Sequence, residues 1–294
     1  MRRLITWYHL TIAIKYRVLR FLRKRNNMNA ELRILLFHEI NGNEKNRFRE
    51  KLELIDHYYT FSHPDDFIKS SVSDRIDMEK QVLVSFDDGF ESNFHVAQEI
   101  LNPKGIKAVF FVIPAFVEAT SREGSEQFVT DYLYPSARKE SRIPKHLRSM
   151  SWDQIRTLVE QGHIIGSHSM SHRRLSEITE LGELEYEIID SGKAIEKEID
   201  AKVRHFAFPF GNVTDFSKPA ADIAIANYEF VFSGIRGSNF RLPHGRILRR
   251  ETVFPWDPKG FELAVLAGVA DKRYKKQLKI LDSWCEQSTE SIWS

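Results

Sequence analysis

Three short stretches of the chain combine residue types that can do chemistry with a spacing that lets them act together. The first is Val82-Leu83-Val84-Ser85-Phe86-Asp87-Asp88-Gly89, an apolar run that ends in two acids and a glycine. Adjacent carboxylates repel and cost desolvation unless a positive charge sits between them, and a divalent metal ion would supply that charge. A solvated turn, with one Asp capping the helix that follows, explains the same residues without a metal. The second stretch is Gly162-His163-Ile164-Ile165-Gly166-Ser167-His168-Ser169-Met170-Ser171-His172. His168 and His172 are four apart, so on one turn of helix their imidazoles would face the same way, at a spacing two metal ligands can share. Exposed helices contain such pairs by chance. Two histidines plus one aspartate, however, make a sufficient shell for a catalytic zinc that keeps positions open for water and substrate. The third stretch, Phe206-Ala207-Phe208-Pro209-Phe210-Gly211, ends an apolar run in a Pro-aromatic-Gly sequence whose plain reading is a turn.

Each stretch needs an element to carry it to a common place. From Glu31 onward short apolar runs alternate with polar helical stretches, the pattern of a parallel sheet or barrel wrapped by helices. Strands are predicted at Arg33–Phe37, Gln81–Asp87, Ile106–Ile113, His163–Gly166, Arg204–Phe208, Phe230–Ser233 and Ile247–Thr252. Helices are predicted at Phe48–Tyr58, Ser92–Leu101, Ser151–Gln161, Leu175–Ile199 and Ser217–Asn227, with Asp153 or Ser151 as an N-cap. Seven strands suit a small, incomplete α/β barrel. All three stretches then lie at strand carboxyl ends, where such architectures place their sites. Residues 115–150, rich in charge, Ser and Pro, read as an inserted surface excursion.

Composition narrows the function classes. The 294 residues are 42% hydrophobic and 29% charged, enough to bury a large core without a disordered bias. A lone cysteine, Cys285, excludes an internal disulfide and a Cys-rich zinc site. The net charge of +2 hides an asymmetry, because residues 1–30 carry eight bases and no acid. Without them the remaining 264 residues stand at −6, which argues against a nucleic-acid groove on the main body. In the leader, Leu4, Trp7, Tyr8, Leu10, Ile14, Val18, Phe21 and Leu22 share one helical face opposite Arg17, Arg20, Arg23 and Lys24. Such a helix lies in an anionic membrane interface or packs on its own domain or a partner. The apolar run Leu4–Ile14 is too short to span a bilayer, and six bases follow it where a signal peptide has its cleavage site.

Taken together, Ser85-Phe86-Asp87-Asp88-Gly89, His168-Ser169-Met170-Ser171-His172 and Phe208-Pro209-Phe210-Gly211 resemble the Asp-Asp, His-x-x-x-His and Pro-aromatic-Gly motifs of the polysaccharide deacetylase family, also known as NodB-homology or carbohydrate esterase family 4 proteins. Ser151-Trp152-Asp153, and Ile34-Leu35-Leu36-Phe37-His38, which looks like the opening strand of the exopolysaccharide-acting subgroup, extend the resemblance over residues 33–255. The resemblance implies a distorted seven-stranded (β/α) barrel. It makes residues 31–294 one catalytic domain with an insertion around 115–150, preceded by the basic helix at 1–30.

By that resemblance, Asp88, His168 and His172 fall on the ligands of one divalent metal ion, Zn2+ foremost, and Asp87 falls on the general base. Phe210 matches the aromatic whose backbone N–H helps hold the tetrahedral oxyanion. The chain departs from the family in two places. Ala207 stands where an arginine often orients the base, and Arg250, from a later strand, is the candidate replacement, with a surface base as the alternative. The late histidine acid is not evident; His244 and His38 are the candidates. The implied activity is removal of N-acetyl groups from an amino-sugar glycan or lipid-linked saccharide. A sugar O-acetyl esterase, a deformylase of a lipid-linked aminosugar and a non-catalytic saccharide binder are the alternatives. The expected location is the cytoplasm, peripherally at the inner face of the cytoplasmic membrane.

Overall fold

The computed structural model of the chain describes residue 11 and residues 31–67, 80–134, 147–240, 242 and 247–290. Among these, eight strands form one parallel sheet: β1 (Glu31–Phe37), β2 (Thr60–Phe61), β3 (Lys80–Phe86), β4 (Ala108–Val112), β5 (Ile164–Ser167), β6 (His205–Ala207), β7 (Phe230–Phe232) and β8 (Glu251–Thr252). Seven follow the order β7-β6-β5-β4-β3-β1-β8, and β2 pairs with the first residues of β3 off this path. The two edges of the path meet. Leu248, ahead of β8, bridges Phe232 of β7; its N–H donates to the Val231 carbonyl at 2.7 Å, and Ser233 N–H donates to the Leu248 carbonyl at 2.8 Å. The sheet therefore curls into the distorted seven-stranded barrel that the strand count suggested.

The described helices are α1 (Lys45–Asp56), α2 (Glu91–Val96), α3 (Pro114–Glu118), α4 (Arg122–Phe128), α5 (Trp152–Glu160), α6 (Leu181–Glu185), α7 (Ser191–Ile199), α8 (Lys218–Asn227), α9 (Phe261–Leu266) and α10 (Lys275–Glu290). None is long and apolar enough to cross a membrane. Alternation along the strands divides the core in two. Ile34, Leu83, Val109, Phe111, Ala207 and Phe232 pack together inside the barrel, while Leu35, Val84, Phe86 and Phe110 pack outward with helix residues such as Phe48 and Ile155. The interior is tightly filled: a Cβ on Gly166 would sit 2.5 Å from the Phe111 ring.

Several elements differ from the sequence expectation, each for a local reason. The helix expected over Leu175–Ile199 is broken, because buried Ile178 takes an extended backbone (φ −95°, ψ 121°) and the helix restarts only at Leu181. The last strand shortens to β8 because Arg249 N–H bonds Asn239 Oδ1 and Arg250 N–H bonds the Ile235 carbonyl, which takes both out of a ladder. Ser151 caps α5 through a capping box with Gln154, so Asp153 is not the cap. The excursion is more than surface: Phe116, Phe128, Val129 and Leu133 bury against Phe90, Ile113 and Leu147 in a cluster of their own. Its centre, residues 135–146, lies outside the described residues, as do His244 and, Thr11 excepted, the expected helix at 1–30.

Candidate active site

Following the inward parity past the strand ends places Asp87 after β3, His168 after β5 and Arg250 ahead of β8 at one mouth of the barrel, where all three are buried. The ladders continue to hold them there. Asp87 N–H donates to the Phe37 carbonyl at 3.0 Å and His168 N–H to the Val112 carbonyl at 2.9 Å. The chain then turns sharply, with Asp88 and Gly89 both left-handed at φ 71°. Glycine adopts this freely, but an aspartate does so only where its surroundings hold it, a common sign of a working site.

The two neighbouring carboxylates meet opposite environments. Asp87 faces Arg250, whose Nη1 and Nη2 donate to its Oδ1 and Oδ2 at 2.6 and 2.8 Å. Arg250 Nε donates to the Ser233 carbonyl at 2.8 Å, and the guanidinium lies over the Phe111 and Phe232 rings. Burial by itself would raise the Asp87 carboxyl, yet the charge and hydrogen bonds of Arg250, with smaller help from His168 and His38, hold it below the usual carboxylate range. Arg249 points the other way, to Asp282 of α10 at 2.9 and 3.1 Å. Asp88 has no such partner at its side: burial and then the Asp87 charge push it well above its ordinary value, with Arg250 only partly opposing.

Asp88 instead faces histidines. Its Oδ1 lies 3.6 Å from His168 Nε2 and 3.5 Å from His172 Nε2, and one ligand atom from each of the three residues falls within 4.8 Å of the others. The expected helical turn does not carry this pair. Residues 168–172 form an irregular loop in which Ser169 and His172 are left-handed, at φ 65° and 60°. The rings converge because each Nδ1 is engaged behind: that of His168 donates to the Ala207 carbonyl at 2.8 Å, that of His172 to the Tyr132 carbonyl at 3.1 Å. This fixes the tautomers, leaving each Nε2 lone pair directed at the centre. Burial keeps both imidazoles neutral by lowering their values, that of His172 well below the ordinary one. Their contacts with Asp88 are therefore those of converging donors rather than of ion pairs. Two neutral imidazoles and a carboxylate that lacks a cation fit a divalent metal ion.

A family profile described as polysaccharide deacetylase matches residues 74–227. The chain belongs to the polysaccharide deacetylase family. The Bacillus subtilis (strain 168) protein YxkH, named as a polysaccharide deacetylase, is 24% identical over 199 residues, which cover 66% of this chain and 61% of YxkH. Among solved structures, the Streptococcus pyogenes deacetylase PplD in complex with acetate aligns at a TM-score of 0.60 and 18% identity, covering 81% of this chain and 99% of PplD. IcaB from Ammonifex degensii aligns at 0.60 and 18%, covering 81% and 97%. These likenesses place the barrel among deacetylase folds.

In this member of the deacetylase family the remaining candidates take definite places. Phe210 is left-handed at φ 60°, 39% exposed, with its ring 4.6 Å from His172 and under the Arg174 guanidinium. The glycine after it is obligatory, since a Cβ on Gly211 would lie 2.4 Å from Gly234 N. His38 follows β1; burial lowers its imidazole to about 4, with Asp87 opposing and His168 and Arg250 adding to the fall. It thus lies within the field of Asp87. His244 is outside the described residues, so its position relative to the site is not part of the geometry. Three contributors carried no sequence signal. The carbonyls of Ala207 and Tyr132 are backbone groups, and Tyr134, whose phenol is raised by burial and by the charges of Asp88 and Glu39, sits in the excursion.

Proposed function

We propose that the chain hydrolyses the N-acetyl amide of an amino-sugar unit in a glycan or glycan precursor, with one divalent metal ion, Zn2+ by the donor set, held by Asp88, His168 and His172. One observation carries this reading: of two adjacent buried carboxylates, only Asp87 is held by a bidentate guanidinium, and only Asp88 converges with both imidazoles, His168 Nε2 lying 3.6 Å from each acid. That division separates a base from a ligand. When bound, the metal would lower the pKa of a water and polarise the acetyl carbonyl. Asp87, kept ionised and fixed in direction by Arg250, takes the proton of the attacking water. The Phe210 backbone N–H serves the developing oxyanion, and the strained turn at Phe210-Gly211 is what aims it. The departing amine needs a proton; His38 and His244 are the candidate carriers, and His38, which burial leaves neutral, would deliver one only after taking it up itself.

The intact Asp87–Arg250 pair favours a working enzyme over a non-catalytic saccharide binder, because a degenerate site has no use for a buried guanidinium. The basic leader supports a location at the inner face of the cytoplasmic membrane, with a membrane-borne or lipid-linked saccharide as substrate. The test incubates Zn2+-loaded protein with acetylated saccharides, O-acetylated sugars and formylated aminosugars, and identifies the acid released. Acetate from N-acetyl substrates is expected. His168→Ala and His172→Ala should lose metal and turnover together, whereas Asp87→Asn should keep metal and lose turnover. Near-normal turnover in Asp87→Asn would refute the division of roles.

A further inference from the structure

We infer that Glu187 is the positioning residue that holds the His168–His172 loop in its metal-ligating form, an inference that rests on the metal site of the reading above. Glu187 is 1% exposed and lies in the π-helical turn Tyr186–Asp190, between α6 and α7. It acts on Met170 and Ser171, two of the three residues between the histidine ligands. Its Oε2 accepts the Ser171 N–H at 3.0 Å, its Oε1 accepts the Ser171 hydroxyl in a short bond, and its backbone carbonyl accepts the Met170 N–H at 3.0 Å.

The loop needs such a hold. Ser169 and His172 are both left-handed, a conformation that L-residues keep only when their surroundings over-determine it. Besides the bonds of the two histidines to Val112, Ala207 and Tyr132, Ala115 N–H donates to the Met170 carbonyl at 3.0 Å and His172 N–H to Ser169 Oγ at 2.9 Å. None of these involves the Ser171 N–H or hydroxyl. A charged acceptor on both of these groups is stronger than a neutral one and sets the peptide between Met170 and Ser171 at a fixed angle. That angle decides where His172 Nε2 points, because His172 follows directly. The π turn fits the role, since single π turns within helices are frequent at functional sites. Without the Glu187 carboxylate the loop can relax toward ordinary backbone angles, and the two imidazoles then diverge from Asp88.

The test measures Zn2+ affinity by chelator competition, the visible spectrum at saturating Co2+, and the melting temperature of the metal-free protein. Glu187→Ala should weaken Zn2+ binding by about 10- to 100-fold and alter the Co2+ spectrum. Glu187→Gln, which still offers an oxygen to the Ser171 N–H, should recover most of that loss. Ser171→Ala, a partly exposed side chain whose removal deletes one bond, should give a smaller loss, and it carries the test if Glu187→Ala does not fold. Unchanged Zn2+ affinity in the folded variants would overturn the inference, as would a Gln variant that loses as much affinity as Ala in step with its melting temperature. Wild-type protein that binds neither ion would overturn the metal reading itself, a result distinct from either of these.

Discussion

Arg250 separates catalysis from packing more cleanly than any other side chain in the site. It is fully buried, gives both terminal nitrogens to Asp87, and donates from its third nitrogen, Nε, to the Ser233 carbonyl. Removing one partner of a buried pair costs about 3–5 kcal/mol, because the other charge is left uncompensated. In Arg250→Ala, Asp87 can relieve this by taking a proton. Burial, the largest influence on it, then raises the carboxyl against the remaining opposition of His168 and His38. A protonated Asp87 cannot serve as base, so kcat should fall by the roughly 10²–10⁴-fold that positioned proton transfer contributes. Bound metal should stay constant, since Asp88 and the histidines do not touch the guanidinium in the hydrogen-bond network. The acidic limb of the kcat/KM profile should also move to higher pH, because the base now has to be deprotonated against its burial. Pairing the change with Ala207→Arg should restore part of the rate, as Ala207 faces the same interior. Arg249→Ala removes outward contacts to Asp282 and to the Ser238 carbonyl from a largely buried side chain and should cost stability by about 1–3 kcal/mol with kcat unchanged. The assay is kcat and KM for each metal-loaded variant from about pH 5 to 9. Wild-type kcat and pH profile in Arg250→Ala, or a greater loss of kcat in Arg249→Ala, would refute the reasoning.

Two further outcomes follow from other parts of the chain. His205 is buried between Phe230 and Phe232, and its ring nitrogens have no hydrogen-bond partner among the described residues. Burial lowers its imidazole from 6.5 to about 3, so on acidification the unfolded chain takes a proton that the folded chain refuses. Stability conferred by this group is therefore present above about pH 6.5 and declines as the pH falls toward 3, by about 2 kcal/mol between pH 8 and pH 5. His205→Phe should remove that slope, as read from urea unfolding at both pH values; an unchanged slope would contradict it. Deleting residues 1–28 should release the protein from anionic vesicles in a sedimentation assay while hydrolysis of a soluble saccharide continues, and equal vesicle binding by the truncated chain would reject the interfacial reading of the leader.

What could be read from the sequence follows from interactions of short range. Short apolar runs between polar helical stretches located the seven strands of the barrel, and side-chain alternation along a strand put Arg250 and Arg249 on opposite faces, as the structure has them. Acids and histidines at strand ends marked Asp87, Asp88, His168 and His172 as a possible metal centre because residue type and spacing are local properties. The tertiary structure alone decided how these groups meet. The His168–His172 pair converges from a loop and not from a helix, since its left-handed residues are held by bonds from α3, the excursion and the turn at Glu187. The carbonyls of Ala207 and Tyr132 set the two tautomers, and a backbone carbonyl looks the same at every position of a sequence. Arg250 reaches Asp87 across 163 residues only because Leu248 closes the barrel onto β7. Periodicity specifies which way a side chain faces along its own strand; which strand stands opposite depends on how the whole sheet curls, and that is fixed by the packing of its interior.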